Sequence, residues 1–64
     1  MKVYVQSKTG NYNTTMEQPD SVTLVEVFKA LRNFGYYTAL LNGKTVVMPF
    51  EEIEFIRLGD ENDY

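Results

Sequence analysis

Asn42-Gly43 constrains this chain more than any other dipeptide in it. The pair stands between two strand-like runs, Tyr36-Tyr37-Thr38-Ala39-Leu40-Leu41 and Lys44-Thr45-Val46-Val47-Met48. A type I′ turn matches the right-handed twist of the strands that it joins, and it needs positive φ at both central residues. Asparagine and glycine reach that region at the least cost. The dipeptide therefore predicts a β-hairpin whose register the turn sets.

A helix precedes the hairpin. Leu24, Val27, Phe28, Leu31 and Phe34 recur at i, i+3, i+4 and i+7 and make one apolar stripe, with Glu26, Lys29, Arg32 and Asn33 largely on the other side. Thr23 and Glu26 fit a capping box, with Ser21 or Asp20 as an earlier alternative cap. Gly35 suits the left-handed residue that stops a helix. Lys2-Val3-Tyr4-Val5-Gln6-Ser7 alternates with period two and reads as a strand. Gly10 marks a turn, and the polar Tyr12–Thr15 segment offers a short return strand. Pro49 ends the Lys44–Met48 strand or places it at an edge. Phe50-Glu51-Glu52-Ile53 looks like a tight or 3₁₀ turn. Glu54–Leu58 resumes strand character, with Phe55 and Arg57 on one face with Ile53, and Glu54, Ile56 and Leu58 on the other.

Together these elements predict an α+β fold of order β(β)αβββ, a small and mainly antiparallel sheet of three to five strands with one helix packed on one face. Residues 1–58 form one compact domain, and residues 59–64 form an acidic, flexible tail. A domain of 64 residues buries only ~60% of the surface of its unfolded chain. Without cysteine or histidine it has no disulfide and none of the usual zinc sites, so self-association is the remaining external support.

The same absences exclude Ser-His and Cys-His nucleophiles. The four glycines are dispersed, with no phosphate-cradling cluster. Glu52 and Glu54 are a candidate carboxylate pair for acid–base work, but a chain this short leaves little room for a pocket of ~300 Å³. Asp60-Glu61-Asn62-Asp63 offers oxygen ligands without the order that a calcium loop needs. The expectation is a protein that is not an enzyme, with no cofactor and no metal. No apolar run approaches the ~20 residues of a membrane span, and the first residues carry no apolar signal core, which makes the cytoplasm the expected location.

Function is then a matter of surfaces. One helix shields one face of a sheet, leaving Tyr4, Tyr36 or Tyr37, Val46, Met48 and Ile56 as candidates for the uncovered side. An exposed apolar face of that kind marks an interaction surface, and a homodimer is the simplest way to bury it. Charge is segregated too. Residues 1–50 are net basic, while residues 51–64 hold Glu51, Glu52, Glu54, Asp60, Glu61 and Asp63 against Arg57 alone. That stretch is a solvated face and tail, or a surface for a basic protein. The expected function is a protein-binding module, a homodimer in which Tyr4, Tyr36, Tyr37, Met48 and Ile56 make contact and Glu51, Glu52 and Glu54 set partner preference.

Two other readings use the same residues. Tyr4, Tyr12, Tyr36 and Tyr37 would stack nucleic-acid bases if they lay on one platform. The net charge of −3 opposes phosphate and argues against nucleic acid as a partner. An acidic nucleic-acid mimic would need carboxylates at the ~6.6 Å spacing of alternate strand residues, which only Glu52 and Glu54 satisfy. In general look the chain resembles small open reading frames of bacteria and their phages. No stretch matches a named family motif, and an inhibitor or regulator carried by a phage or mobile element is the setting expected for such a binding module.

Overall fold

The computed structural model describes residues 1–59. Within them lie one helix and five strands in antiparallel sheets, in the expected order. β1 (Lys2–Ser7) is the central strand of a three-stranded sheet, between β2 (Thr14–Glu17) and β5 (Ile53–Leu58). β3 (Tyr36–Leu41) and β4 (Lys44–Pro49) form a separate two-stranded sheet. α1 (Leu24–Phe34) packs against β3 and β5 and so bridges the two sheets. A 3₁₀ turn at Phe50–Glu52 links β4 to β5. The return strand begins at Thr14, two residues later than expected, because Asn13 is occupied in closing the preceding loop onto Ser7.

Local chemistry accounts for the helix and the hairpin. The Thr23 hydroxyl accepts from the Glu26 N–H at 3.2 Å, and the Thr23 N–H donates to Glu26 Oε1 at 3.2 Å, completing the capping box. Gly35 stops the helix at φ 85°, and its N–H donates to the Leu31 carbonyl. Asn42 and Gly43 have φ of 51° and 77°, and Leu41 faces Lys44 across the turn. The Phe50 N–H donates to the Gly35 carbonyl at 2.9 Å at the far end of the hairpin. Bonded and non-bonded pairs alternate along an antiparallel ladder. Tyr37–Met48 and Ala39–Val46 are therefore bonded pairs, and Tyr36–Pro49, Thr38–Val47 and Leu40–Thr45 are not. Pro49 lies at a position where an N–H would point out of the hairpin, so its missing donor breaks no bond of the ladder.

The core is built from Val3 and Val5 of β1, Val27 and Leu31 of α1, Tyr37 of β3 and Ile53 of β5. Met48, Phe50 and Ile56 pack around it, and the Phe28 ring meets Phe50 edge-on at 5.2 Å. On β1, Val3, Val5 and Ser7 point inward, and Tyr4 and Gln6 point outward.

On β5 simple alternation fails. Gln6 pairs with Phe55 and Ser7 with Ile53, so one step along β1 spans two steps along β5, and Glu54 is the extra residue. Residues paired across a ladder share a face. Ile53, Ile56 and Leu58 consequently lie on the core face with Ser7, Val5 and Val3, and Phe55 and Arg57 lie on the outer face. Alternation alone had grouped Ile53 with Phe55 and Arg57, and a single bulge reverses that grouping.

The start of β1 is clamped. The Met1 amine donates to the Gln18 carbonyl at 2.9 Å and to Asp20 Oδ1 at 2.7 Å, while the Gln18 N–H donates to the Met1 carbonyl. The Asp20 hydrogen bond raises the amine above its ordinary 8.0, and the amine in turn lowers the Asp20 carboxyl below 3.8. A raised base favours the folded state fully below pH 8.0 and loses that contribution as pH climbs through the folded value. A lowered acid favours it above pH 3.8 and loses it as pH falls through the depressed value. The clamp is thus complete between those limits. Asp20→Asn is expected to return the amine toward 8.0 in an NMR titration of Met1. An unchanged titration would show that Asp20 does not hold the amine.

Candidate functional site

The outer face of the hairpin gathers several of the exposed large hydrophobic side chains among the described residues. Leu40 is 71% exposed, Val47 60% and Tyr36 46%. The register puts all three on one side, with Thr38 and Thr45 between them. Phe34, 71% exposed, joins the patch by meeting the Tyr36 ring edge-on at 6.2 Å. The helical stripe had placed Phe34 in the core. Tyr37, only 1% exposed, occupies the core with Val27 and Leu31, and Phe34 lies against Tyr36 instead.

Beside this face runs a cleft of about 360 Å³ between β2, α1 and β3. Val27, Leu31 and Tyr37 line it, together with Met16, Phe34 and Tyr36. Side chains from both faces of β3 reach it, so it follows the edge of that strand away from β4. The sequence left little room for such a cavity. It exists because the strands divide into two sheets rather than forming one.

Several expected contact residues take other places. Tyr37 is fully buried, and Met48 and Ile56 pack against the core. Strand alternation sends Tyr37 and its partner Met48 inward, and the bulge turns Ile56 inward. Val46 is half-buried on the inward face, opposite Ala39. Tyr4 lies on the outer face of the three-stranded sheet as expected, but half-buried, with the Arg57 guanidinium 4.3 Å from its ring centroid. Its hydroxyl donates to Gln6 Oε1 at 2.6 Å. Lys2, Glu17 and Thr15 complete that face, so it is mainly polar around Tyr4 and Phe55. Tyr36 alone of the expected apolar contacts joins the exposed patch.

Tyr4, Tyr12, Tyr36 and Tyr37 form no common platform, since Tyr37 is buried and Tyr4 and Tyr36 belong to different sheets. Glu51 and Glu52 lie in the 3₁₀ turn, not on a strand face with Glu54, and Glu54 is the bulge residue. The expected tail and its Asp60–Asp63 ligands lie outside the described residues. Among the described residues no group of three acidic side chains is arranged to hold a metal ion, and no helix is long and apolar enough to cross a membrane.

One buried polar cluster remains. Ser7, fully buried, donates from its N–H and its hydroxyl to Asn13 Oδ1 at 2.9 and 3.3 Å, and its Oγ accepts from the Tyr12 N–H at 3.1 Å. The Tyr37 hydroxyl is buried with no hydrogen-bond partner among the described residues. Burial raises the phenol above its ordinary 10.0, the Glu52 charge adds to that, and the nearby Ser7 hydroxyl, which falls short of hydrogen-bond geometry with it, opposes the rise.

Sequence reasoning missed Phe34, Leu40 and Val47. For the latter two the signal was present. The Asn42-Gly43 turn fixes Leu41 against Lys44, which sorts Tyr37 and Met48 from Tyr36, Leu40 and Val47 before any coordinates are seen. Comparison with known proteins finds no matching family model, no matching curated protein and no matching solved structure.

Proposed function

We propose that this chain is a protein-binding module, without catalytic function of its own, that associates with a second copy of itself along the hairpin. The observation that carries the reading is the convergence of Phe34, Tyr36, Leu40 and Val47 on one exposed surface. The open parts of Phe34 and Tyr36 alone amount to roughly 200 Å². With Leu40 and Val47 the patch reaches the ~300–600 Å² at which an apolar surface commonly serves binding. Glu51 and Glu54, both exposed, favour a further partner with a basic surface.

Val47→Asp tests the reading, because Val47 is exposed and its replacement leaves the core intact. Charge on that face is expected to weaken self-association by about tenfold or more, read by sedimentation equilibrium or light scattering. A wild-type protein that stays monomeric at millimolar concentration removes the reading.

A further inference from the structure

Among the described residues four strand edges lie open, and three of them are guarded, each differently. β2 is four residues long and begins with two threonines. β5 is interrupted by the Glu54 bulge and carries Arg57. The free edge of β3 follows the cleft, and Met16 of β2 stands among the cleft's lining residues. β4 has Lys44 and Pro49 at its ends, but Thr45-Val46-Val47-Met48 between them carries no charge, proline or bulge. Such devices are how sheets prevent further pairing, and the middle of β4 lacks them. No residue of β4 is fully buried. A lone two-stranded hairpin is marginal in water, whereas three or more strands sharing an apolar face are stable.

The ladder alternation shows which groups are open. Thr45 and Val47 stand at non-bonded positions against β3, so their N–H and C=O groups point out of the hairpin. These groups complement themselves across a two-fold axis. Antiparallel pairing centred on Val46 sets Thr45 of each copy against Val47 of the other and makes four backbone hydrogen bonds. Both open donors and both open acceptors of each copy are used. Centring on Val47 instead would oppose Thr45 to Pro49, which has no N–H to give.

We infer that two copies join β4 to β4 in this register, forming a continuous four-stranded sheet with Val46 at the dyad. The inference rests on the self-association proposed above and adds its geometry. The joined sheet carries Leu40 beside Thr45 and then Val47 of the second copy, with the reverse row alongside. Two small apolar patches thereby merge into one platform twice as large, the form in which a third protein would meet it.

Cross-linking tests the register. A non-bonded antiparallel pair has Cα atoms ~4.5 Å apart, within the ~4.4–6.8 Å span of a disulfide. The chain has no cysteine, so Val46→Cys introduces its sole thiol. Under mild oxidation V46C is expected to become a covalent dimer about ten times faster than V47C or L40C. Thr45→Pro removes a donor that points away from β3 and should weaken self-association about tenfold or more while the Tyr37 ring signals stay native. Faster linkage of V47C, or an associating V46C that does not link, overturns the edge pairing and leaves the self-association reading standing. A wild-type chain that never associates overturns both.

Discussion

Tyr37→Ala is expected to cost about 3–5 kcal/mol and to leave the domain largely unfolded. Tyr37 is the largest fully buried side chain among the described residues and touches the core contributed by β1, α1 and β5. A domain of 64 residues has roughly 3–10 kcal/mol of stability to lose, and truncating an aromatic ring there creates a cavity where three elements meet. Tyr37→Phe separates the ring from its hydroxyl. The hydroxyl is buried without a hydrogen-bond partner among the described residues, so removing it is expected to be neutral or to stabilise by up to about 1 kcal/mol. The two variants therefore move urea midpoints in opposite directions, or one of them not at all. The wild type should also lose stability as pH rises past 10.0, because the buried phenol ionises less readily than the unfolded one. Phenylalanine abolishes that alkaline loss. A destabilised Tyr37→Phe would show that the hydroxyl holds Ser7 after all.

Deleting one residue from β1 and one from β5 should give opposite outcomes. Without Tyr4, Val3 and Val5 become neighbours and cannot both face the core. One valine is then exposed, at about 1.5–3 kcal/mol, and Gln6 or Lys2, whichever side of the deletion shifts, turns inward, at about 1–3 kcal/mol. Together those losses, about 2.5–6 kcal/mol, are comparable with the whole stability of a domain this small, so the variant is expected to be largely unfolded by circular dichroism at 25 °C. Deleting Glu54 does the reverse. Ser7–Ile53 and Gln6–Phe55 become consecutive pairs of an unbroken ladder, and Ile53, Ile56 and Leu58 keep the core face. That variant is expected to fold within about 1 kcal/mol of the wild type. An unfolded Glu54 deletion with a folded Tyr4 deletion would refute the register of β5.

These contrasts also show how far the sequence reached. The helix was legible at both ends, since Thr23, Glu26 and Gly35 each fix a backbone group by their own chemistry. The turn was legible for the same reason, through Asn42 and Gly43. Interactions spanning few residues leave a local mark. The bulge left none, because Glu54 becomes the extra residue only when β5 is laid against β1, some fifty positions earlier in the chain. Phe34 was equally opaque. Its period matches the buried stripe, and its exposure depends on where Tyr37 lies. The division into two sheets, and with it the cleft, follows from how the hairpin meets α1 and β2 in space, which no residue pattern states. The candidate surface stood halfway. The turn implied the correct partition of β3 and β4, whereas a count of apolar residues did not.

The pairing of β1 with β5 has a consequence for how the chain is made. Val3 is joined to the chain some fifty residues before its neighbour Leu58. At ~5–20 residues per second the delay is several seconds. During that interval β1 has only β2 beside it, and such a pair by itself is barely stable. No N-terminal portion of the chain owns a complete interior, because Ile53 closes what Val3 and Val5 begin. Folding of this domain must therefore await β5 and then occur in a single cooperative step, and forms lacking β5 would be prey for proteases.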